Sequence, residues 1–213
     1  MTTAGERELF HFTHIRNLRD ILTQGCMVSD LTMQARGGVP VECGDRDIKK
    51  ERRSRLVTVP PGGVVADYVP FYFAPRSPMM YKINCGKVLT YSDGQPPLVY
   101  LTTTVGEVVT AQRPYAFSDG NCANTITHHF NELERMAQVI DWRVIAARYW
   151  SNTTDDGDRK RRRMAEFLVH DHLPMSAITG ISTYDRQHAD RVGRLLGEVG
   201  WVLPVTVRRD WYY

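Results

Sequence analysis

The segment "DRKRRRMAEFLVHD", residues 158–171, sets five basic residues, Arg159 to Arg163, against a short apolar run, with one carboxylate, Glu166, at the junction. Read with a period of two, Ala165, Phe167 and Val169 share one face and Glu166, Leu168 and His170 the other. Both faces are largely apolar, so the run reads as a strand covered on both sides and ended by Pro174. A carboxylate on such a strand stands at the mouth of a cleft or is buried with a partner. An ion pair to one of the preceding arginines and a positioned acid that acts on a ligand both satisfy the pattern.

The surroundings of this strand set the fold class. "LFHFTH" (9–14) alternates as a strand, with Phe10 and Phe12 on one face and His11 and Thr13 on the other. "IRNLRDILTQG" puts Ile15, Leu18, Ile21 and Leu22 on one helical face, with Gly25 as its stop. Residues 29–47 read as a long loop, "DIKKERRSRL" as the start of a short helix, and "VPPGG" (59–63) as a turn. Strands follow at Val69 to Phe73, in "PLVYLTTTV" and in "ITGISTY". "NTITHHFNELERMAQVI" (124–140) carries Ile126, Phe130, Leu133, Ala137 and Ile140 at helical spacing, and "WRVIAARYW" continues as a second helix. "DRQHADRVGRLLGEVG" predicts a helix with Val192, Leu195, Leu196 and Val199 inward and Gly200 as its stop. "WVLPVTVRRD" closes as an edge strand, because Pro204 cannot donate to a ladder. This irregular alternation argues for α+β with mixed or split sheets rather than a doubly wound parallel sheet. With no internal repeat or low-complexity linker, residues 1–213 form one domain.

Composition narrows the classes. At 42% hydrophobic and 24% charged, the chain is that of an ordinary globular protein. No apolar run approaches the ~18 residues of a membrane helix, and "MTTAGERELF" has no signal-peptide core. Cys26, Cys43, Cys85 and Cys122 fall in no metal-ligand spacing and read as reduced thiols of a cytoplasmic protein without a metal. There is no GxGxxG after a strand and no P-loop. The net charge of +3 is modest, but "KKERRSR" (49–55) and "RKRRR" (159–163) concentrate it in two patches suited to phosphates, unless they are merely solvated. "DYVPFYFAPRSPMMY" gathers Tyr68, Phe71, Tyr72 and Phe73, and the strand face not in the core could stack a nicotinamide or a nucleobase. His11 and Thr13 offer short directional hydrogen bonds to an amide or a ribose hydroxyl.

"FHFTHIRNLRDIL", "ERRSR", "PPGGVVADYVPFYFAPRSPMMY" and "RRRMAEFLV" together resemble the DarT-type toxins, bacterial DNA ADP-ribosyltransferases, in the family's order and over roughly residues 9–172. The resemblance implies an ADP-ribosyltransferase fold, with two packed, split mixed β-sheets and flanking helices around an NAD⁺ cleft. It implies transfer of ADP-ribose from NAD⁺ to a base of single-stranded DNA, thymine being the acceptor expected. It also implies a partner antitoxin of the DarG type, whose macrodomain removes the modification. Carried over by position, His11, Phe12 and Thr13 match the nicotinamide-binding strand, with Asp20, Val28 and Tyr72 among the cofactor contacts. Arg53 matches the catalytic arginine, with a one-residue ambiguity against Arg52, and Glu166 matches the catalytic glutamate. Arg52, Asn121, Arg161, Arg162 and Arg163 fall in the regions that meet DNA. Asn121 stands in "SDGNCA" where relatives often carry histidine, so a role needing a titratable imidazole is lost there. Two other readings stay open: ADP-ribosyl transfer to RNA or protein, and a non-catalytic module that binds single-stranded nucleic acid.

Overall fold

The apolar strand around Glu166 lies inside the largest sheet of the computed structural model, which describes residues 3–213. Of the N-terminal stretch read above, Met1 and Thr2 lie outside the described residues. In chain order the elements are β1 (Glu8–His14), α1 (Leu18–Gln24), β2 (Cys26–Val28), α2 (Asp30–Ala35), α3 (Arg46–Arg52) and β3 (Tyr68–Tyr72). Then come α4 (Pro78–Asn84), β4 (Leu98–Thr104), α5 (Val105–Thr110), β5 (Tyr115–Ser118), β6 (His129–Phe130), α6 (Met136–Val139) and α7 (Trp142–Ala146). The chain closes with α8 (Arg159–Arg163), β7 (Glu166–His170), β8 (His172–Pro174), β9 (Gly180–Thr183), α9 (Arg186–Val199) and β10 (Val205–Val207).

Eight strands pair in the order β10-β9-β4-β1-β3-β7-β5-β6, and β2 and β8 form a separate two-stranded sheet. Only β9 and β10 run parallel, joined by the crossover of α9; the remaining pairs are antiparallel. The mixed α+β class is as the sequence predicts. The expectation of two separate sheets is corrected: hydrogen bonding links eight strands into one. The link at the centre is thin, however. β1 meets β4 over seven residue pairs but touches β3 in register only at Phe10 and Tyr72. Two four-stranded halves therefore meet at a single rung.

Each face of the large sheet is covered. Leu9, Phe71, Val99, Leu101, Phe117, Phe167 and Val169 bury one face in a core shared with Leu18 and Leu22 of α1 and Val192 and Leu196 of α9. Phe10, Leu98 and Tyr100 bury part of the other against Met80, Ile83, Trp211 and Tyr212. Gly25 and Gly200 end α1 and α9 with φ of 69° and 78°, the left-handed turn that glycine enters without strain. β10 is an edge strand, as Pro204 requires.

Two local expectations fail. The supposed loop 29–47 contains α2, capped by the Ser29 hydroxyl on the Thr32 amide; no residue of α2 is buried, so no apolar period marks it. Residues 124–140 are not one helix. Phe130 stacks on Phe117 at 5.7 Å and draws β6 into the sheet, leaving only α6 helical and Ile126 59% exposed. Tertiary packing here overrides the helical spacing. The strand reading up to Pro174 holds with one break at Asp171, whose φ of 63° turns β7 into β8.

Candidate active site

Two adjacent rows cross the second half-sheet. In one, Phe71 pairs with Phe167, Phe167 with Phe117 and Phe117 with Phe130. One residue along, Tyr72 pairs with Glu166 and Ser118 with His129, and the Ser118 hydroxyl accepts from the Glu166 amide at 3.0 Å. Because side chains alternate along a strand, the aromatic row fills the core and the polar row faces the opposite side. Glu166 stands on a strand covered on both sides because its own side is a cleft.

The Glu166 carboxylate is 2% exposed and fully engaged. Arg52 Nη1 donates to Oε1 at 3.0 Å and Oε2 at 2.8 Å, and the Cys122 amide donates to Oε1 at 3.1 Å. Burial works against the charge of Arg52, but Glu166 beside it prevails and holds the guanidinium above its ordinary pKa. Arg52 Nη2 is buried without a partner, a donor left over for a ligand. The arginine comes from the last turn of α3, whose start is fixed by the Asp45 carboxylate on the Asp47 and Ile48 amides. Arg53 is one residue further, about 100° around the helix. Its Nε donates to Asp30 Oδ2 at 3.1 Å, beside the Lys49–Asp30 pair at 2.6 Å. Thus Arg52, not Arg53, meets Glu166.

His11 faces the same cleft from β1. Its Nδ1 lies 2.8 Å from the Pro70 carbonyl, which can only accept, so Nδ1 carries the proton and Nε2 is left as an acceptor. Burial, aided by Lys49 and Arg52, brings its pKa down to about 4 and keeps the ring neutral. Thr13 Oγ1 accepts from Asn17 Nδ2 at 3.0 Å. Asn17 in turn donates to the Val41 carbonyl at 2.8 Å and accepts from the Val41 amide at 2.9 Å. This buried amide fixes the wall from Val39 to Asp45; sequence reasoning missed it, since one Asn after a strand carries no periodic signal. Tyr72 keeps its phenolic proton, because burial and then Glu166 push its pKa up. Burial likewise pushes the Cys43 thiol, on the same wall, up to about 12, which leaves it un-ionised.

A cavity of about 240 Å³ joins these groups. His11, Phe12, Thr13, Asp20, Val28, Arg52, Tyr72, Asn121 and Glu166 all line it. Arg53 lines a neighbouring hollow with Asp30, Arg46 and Lys50 instead. Arg161, Arg162 and Arg163 line neither. The expectation that they form a free basic patch is corrected. Arg161 pairs with Asp119 and Asp158, Arg162 with Asp141 and Asp156, and Arg163 is 4% exposed with Nη2 on the Pro75 carbonyl at 2.7 Å. Nearby carboxylates pair with Arg161 and Arg162, while Arg163 Nη2 is held by carbonyls and its Nε and Nη1 are buried without a partner. Among the described residues, no group of three or more His, Cys, Asp and Glu side chains is arranged to hold a metal ion, and no helix is long and apolar enough to cross a membrane.

The chain resembles proteins of known activity over its whole length. A DNA ADP-ribosyl transferase of Mycobacterium tuberculosis is 33% identical over 208 residues, covering 96% of this chain and 88% of that one. The structure of Thermus sp. 2.9 DarT in complex with ADP-ribosylated ssDNA superposes with a TM-score of 0.91 at 32% identity, over 100% of this chain and 99% of that one. The same Thermus enzyme in complex with NAD⁺ gives 0.85 at 34% identity, over the full length of both chains. A DNA ADP-ribosyl transferase–DNA ADP-ribosyl glycohydrolase fusion protein of Thermosipho africanus is 26% identical over 192 residues, which cover 89% of this chain and 46% of that protein. Residues 10–213 match the family model described as DarT, ssDNA thymidine ADP-ribosyltransferase, and the chain belongs to that family.

Proposed function

We propose that this chain transfers ADP-ribose from NAD⁺ to thymidine in single-stranded DNA, with Glu166 acting on the donor and Arg52 on the acceptor. The observation that carries the reading is the buried Arg52–Glu166 pair at the floor of a cleft that His11 enters from the other half-sheet. Breaking the nicotinamide–ribose bond leaves positive charge on the ribose C1′ and releases neutral nicotinamide. A carboxylate fixed by Arg52 and the Cys122 amide stabilises that charge without having to reorganise.

Thymine N3 holds a proton and is a weak nucleophile until it loses it. Guanidinium is too weak a base to take that proton at neutral pH. Arg52 instead favours the deprotonated base through its charge and its uncommitted Nη2. The new bond joins N3 to C1′, and the proton leaves to solvent. His11 Nε2 accepts from a hydroxyl or amide of the donor, and the Thr13 hydroxyl, which accepts from Asn17, keeps its O–H free to donate to it. Asp20, Val28, Phe12 and Tyr72 complete the donor side, and Asn121 meets the acceptor at the mouth. Arg53 serves the wall through Asp30 rather than the reacting atoms.

A duplex hides N3 in its base pair, and unpairing costs a few kcal/mol, so single strands are the better acceptor. A DarG-type antitoxin with a macrodomain fits as partner; the Thermosipho relative is a fusion of transferase and glycohydrolase. We place the reaction in the cytoplasm, where NAD⁺ and single-stranded chromosomal DNA meet. The test is incubation with NAD⁺ and oligonucleotides holding one thymine each, single-stranded or annealed, followed by mass spectrometry. Adducts on the single strands, lost in Glu166→Gln, are expected. Equal labelling of duplex, or full activity of a folded Glu166→Gln, overturns the reading.

A further inference from the structure

The basic cluster of α8 has a use that its charge conceals. Arg161 is 12% exposed and spends its donors inside the molecule. Nε and Nη2 hold the two oxygens of Asp158 at 2.8 and 2.7 Å. Nη1 donates to Asp119 Oδ1 at 3.0 Å and to Thr127 Oγ1 at 3.3 Å. Its main-chain carbonyl accepts from the Asn121 amide at 3.0 Å.

Asp119 and Thr127 are the two ends of one loop. Asp119 Oδ1 also accepts from the His128 amide at 3.0 Å, and Thr127 Oγ1 donates to the Asn121 carbonyl at 2.7 Å. Arg161 therefore closes the loop at its neck. Between those ends lie Asn121, on the cleft, and Cys122, whose amide holds Glu166 Oε1 at 3.1 Å. Gly120 makes the arrangement possible. A Cβ on it would overlap Arg161 Nη1 and come within 3.0 Å of Cγ and Cζ. An arginine tethered to carboxylates at both ends has no room to yield.

We propose that Arg161 is a positioning residue for the transfer reaction: by closing the loop from Asp119 to Thr127 against Gly120, it sets Asn121 at the mouth and the Cys122 amide on Glu166. This rests on the reading of Glu166 as the group that acts on the donor. In this role Arg161 touches neither DNA phosphate nor NAD⁺.

Three variants separate this role from a DNA contact. Arg161→Lys keeps the charge but has one nitrogen for three partners. Gly120→Ala leaves every charge in place and displaces the guanidinium. Arg161→Gln removes the charge. For each, kcat, the dependence of the DNA KM on salt, and the rise in melting temperature with NAD⁺ are measured. Loosening of a positioned group by about 1 Å costs up to ~10²-fold. All three should therefore lower kcat by about tenfold or more, with the NAD⁺-induced rise and the salt slope as in wild type. If Arg161 held a phosphate, Arg161→Gln would flatten the slope by ~0.7 and raise the DNA KM with kcat unchanged. A flattened slope in any variant, or wild-type kcat in Gly120→Ala, overturns the proposal. Glu166→Gln is run beside them: if it is inactive while Gly120→Ala and Arg161→Lys are fully active, only the positioning role fails. If Glu166→Gln is active, the underlying reading fails first.

Discussion

The two arginine clusters look alike as text and both lie on or just past short helices, but they meet different surroundings. In "ERRSR", α3 sends Arg52 into the cleft, Arg53 to Asp30 on the outer wall and Arg55 to the Ala123 carbonyl at 3.2 Å. Its field reaches the active groups: Lys49 and Arg52 both help to keep His11 neutral. In "RKRRR", α8 stands among Asp119, Asp141, Asp156 and Asp158, and the charges of Arg161 and Arg162 are neutralised locally. A run of arginines in a sequence counts cations, but the acids folded around it decide how many remain free. In the proposed mechanism one cluster acts on substrates, and the other holds loops in place.

The sharpest way to break that contrast is to exchange the two roles experimentally. Arg52→Lys should lower transfer by ~10²-fold or more, since it removes a preorganised donor beside the reacting charge. Arg162→Gln should leave kcat within about fivefold. Similar losses in both, measured by steady-state transfer to a single-thymine oligonucleotide, would mean that the clusters are not distinct.

Stability should show the reverse order. Arg162→Gln leaves Asp141, Asp156 and Asp158 facing one another and should lower the melting temperature by a few degrees at pH 7. In the wild type, the hydrogen bond from Arg162 and the charge beside it hold the Asp156 carboxyl below its ordinary value. That contribution is present above the unfolded value of 3.8 and is lost as pH falls from there through the depressed folded value. The gap between variant and wild type should therefore persist at about pH 4 and close only below it; a gap that does not narrow with further acidification in calorimetry would refute the mechanism.

Smaller still is the effect of Arg53→Gln. Its partly exposed pair with Asp30 is worth ~0–1 kcal/mol, so transfer should change by less than about fivefold. A loss as large as that of Arg52→Lys would restore Arg53 to the reacting centre.

The smallest expected signal is a flat line. His11 is depressed from 6.5 to about 4. Above pH 6.5 it is neutral in folded and unfolded chains alike, so neither stability nor NAD⁺ affinity should respond to it between pH 7 and 8. Between 6.5 and 4 the unfolded chain binds the proton first, and stability falls with pH. A His11 imidazole resonance that titrates near 6.5 in the folded protein would contradict the assignment. Arg52→Lys preserves a cation near His11 and should barely move its titration; Arg162→Gln should not move it at all.

What could be read beforehand follows from what each residue signals locally. The alternation of β7 announced a strand covered on both sides, and the stops at Gly25 and Gly200 needed only a left-handed turn. The lining of the cleft by His11, Thr13, Tyr72 and Glu166 was legible through motifs carried on strands, where period two fixes the face. The choice between Arg52 and Arg53 was not, because it turns on 100° of helical rotation set by the capping of α3 by Asp45. The neutralisation of Arg161 and Arg162 was hidden too: Asp119 and Asp141 lie more than 20 positions upstream of them and meet α8 only after folding.

The single rung between Phe10 and Tyr72 has an evolutionary consequence. His11, Thr13 and Asp20 ride on one half of the sheet or its attached helix, while Glu166 and the Asn121 loop ride on the other. Substitutions that reshape the mouth, and with it the taste for a sequence context, can accumulate on the second half with little strain passed to the first. With donor and acceptor divided as proposed, an enzyme built this way can change its target while keeping its fuel, and lineages of it should diverge fastest on the side of the seam that carries Asn121.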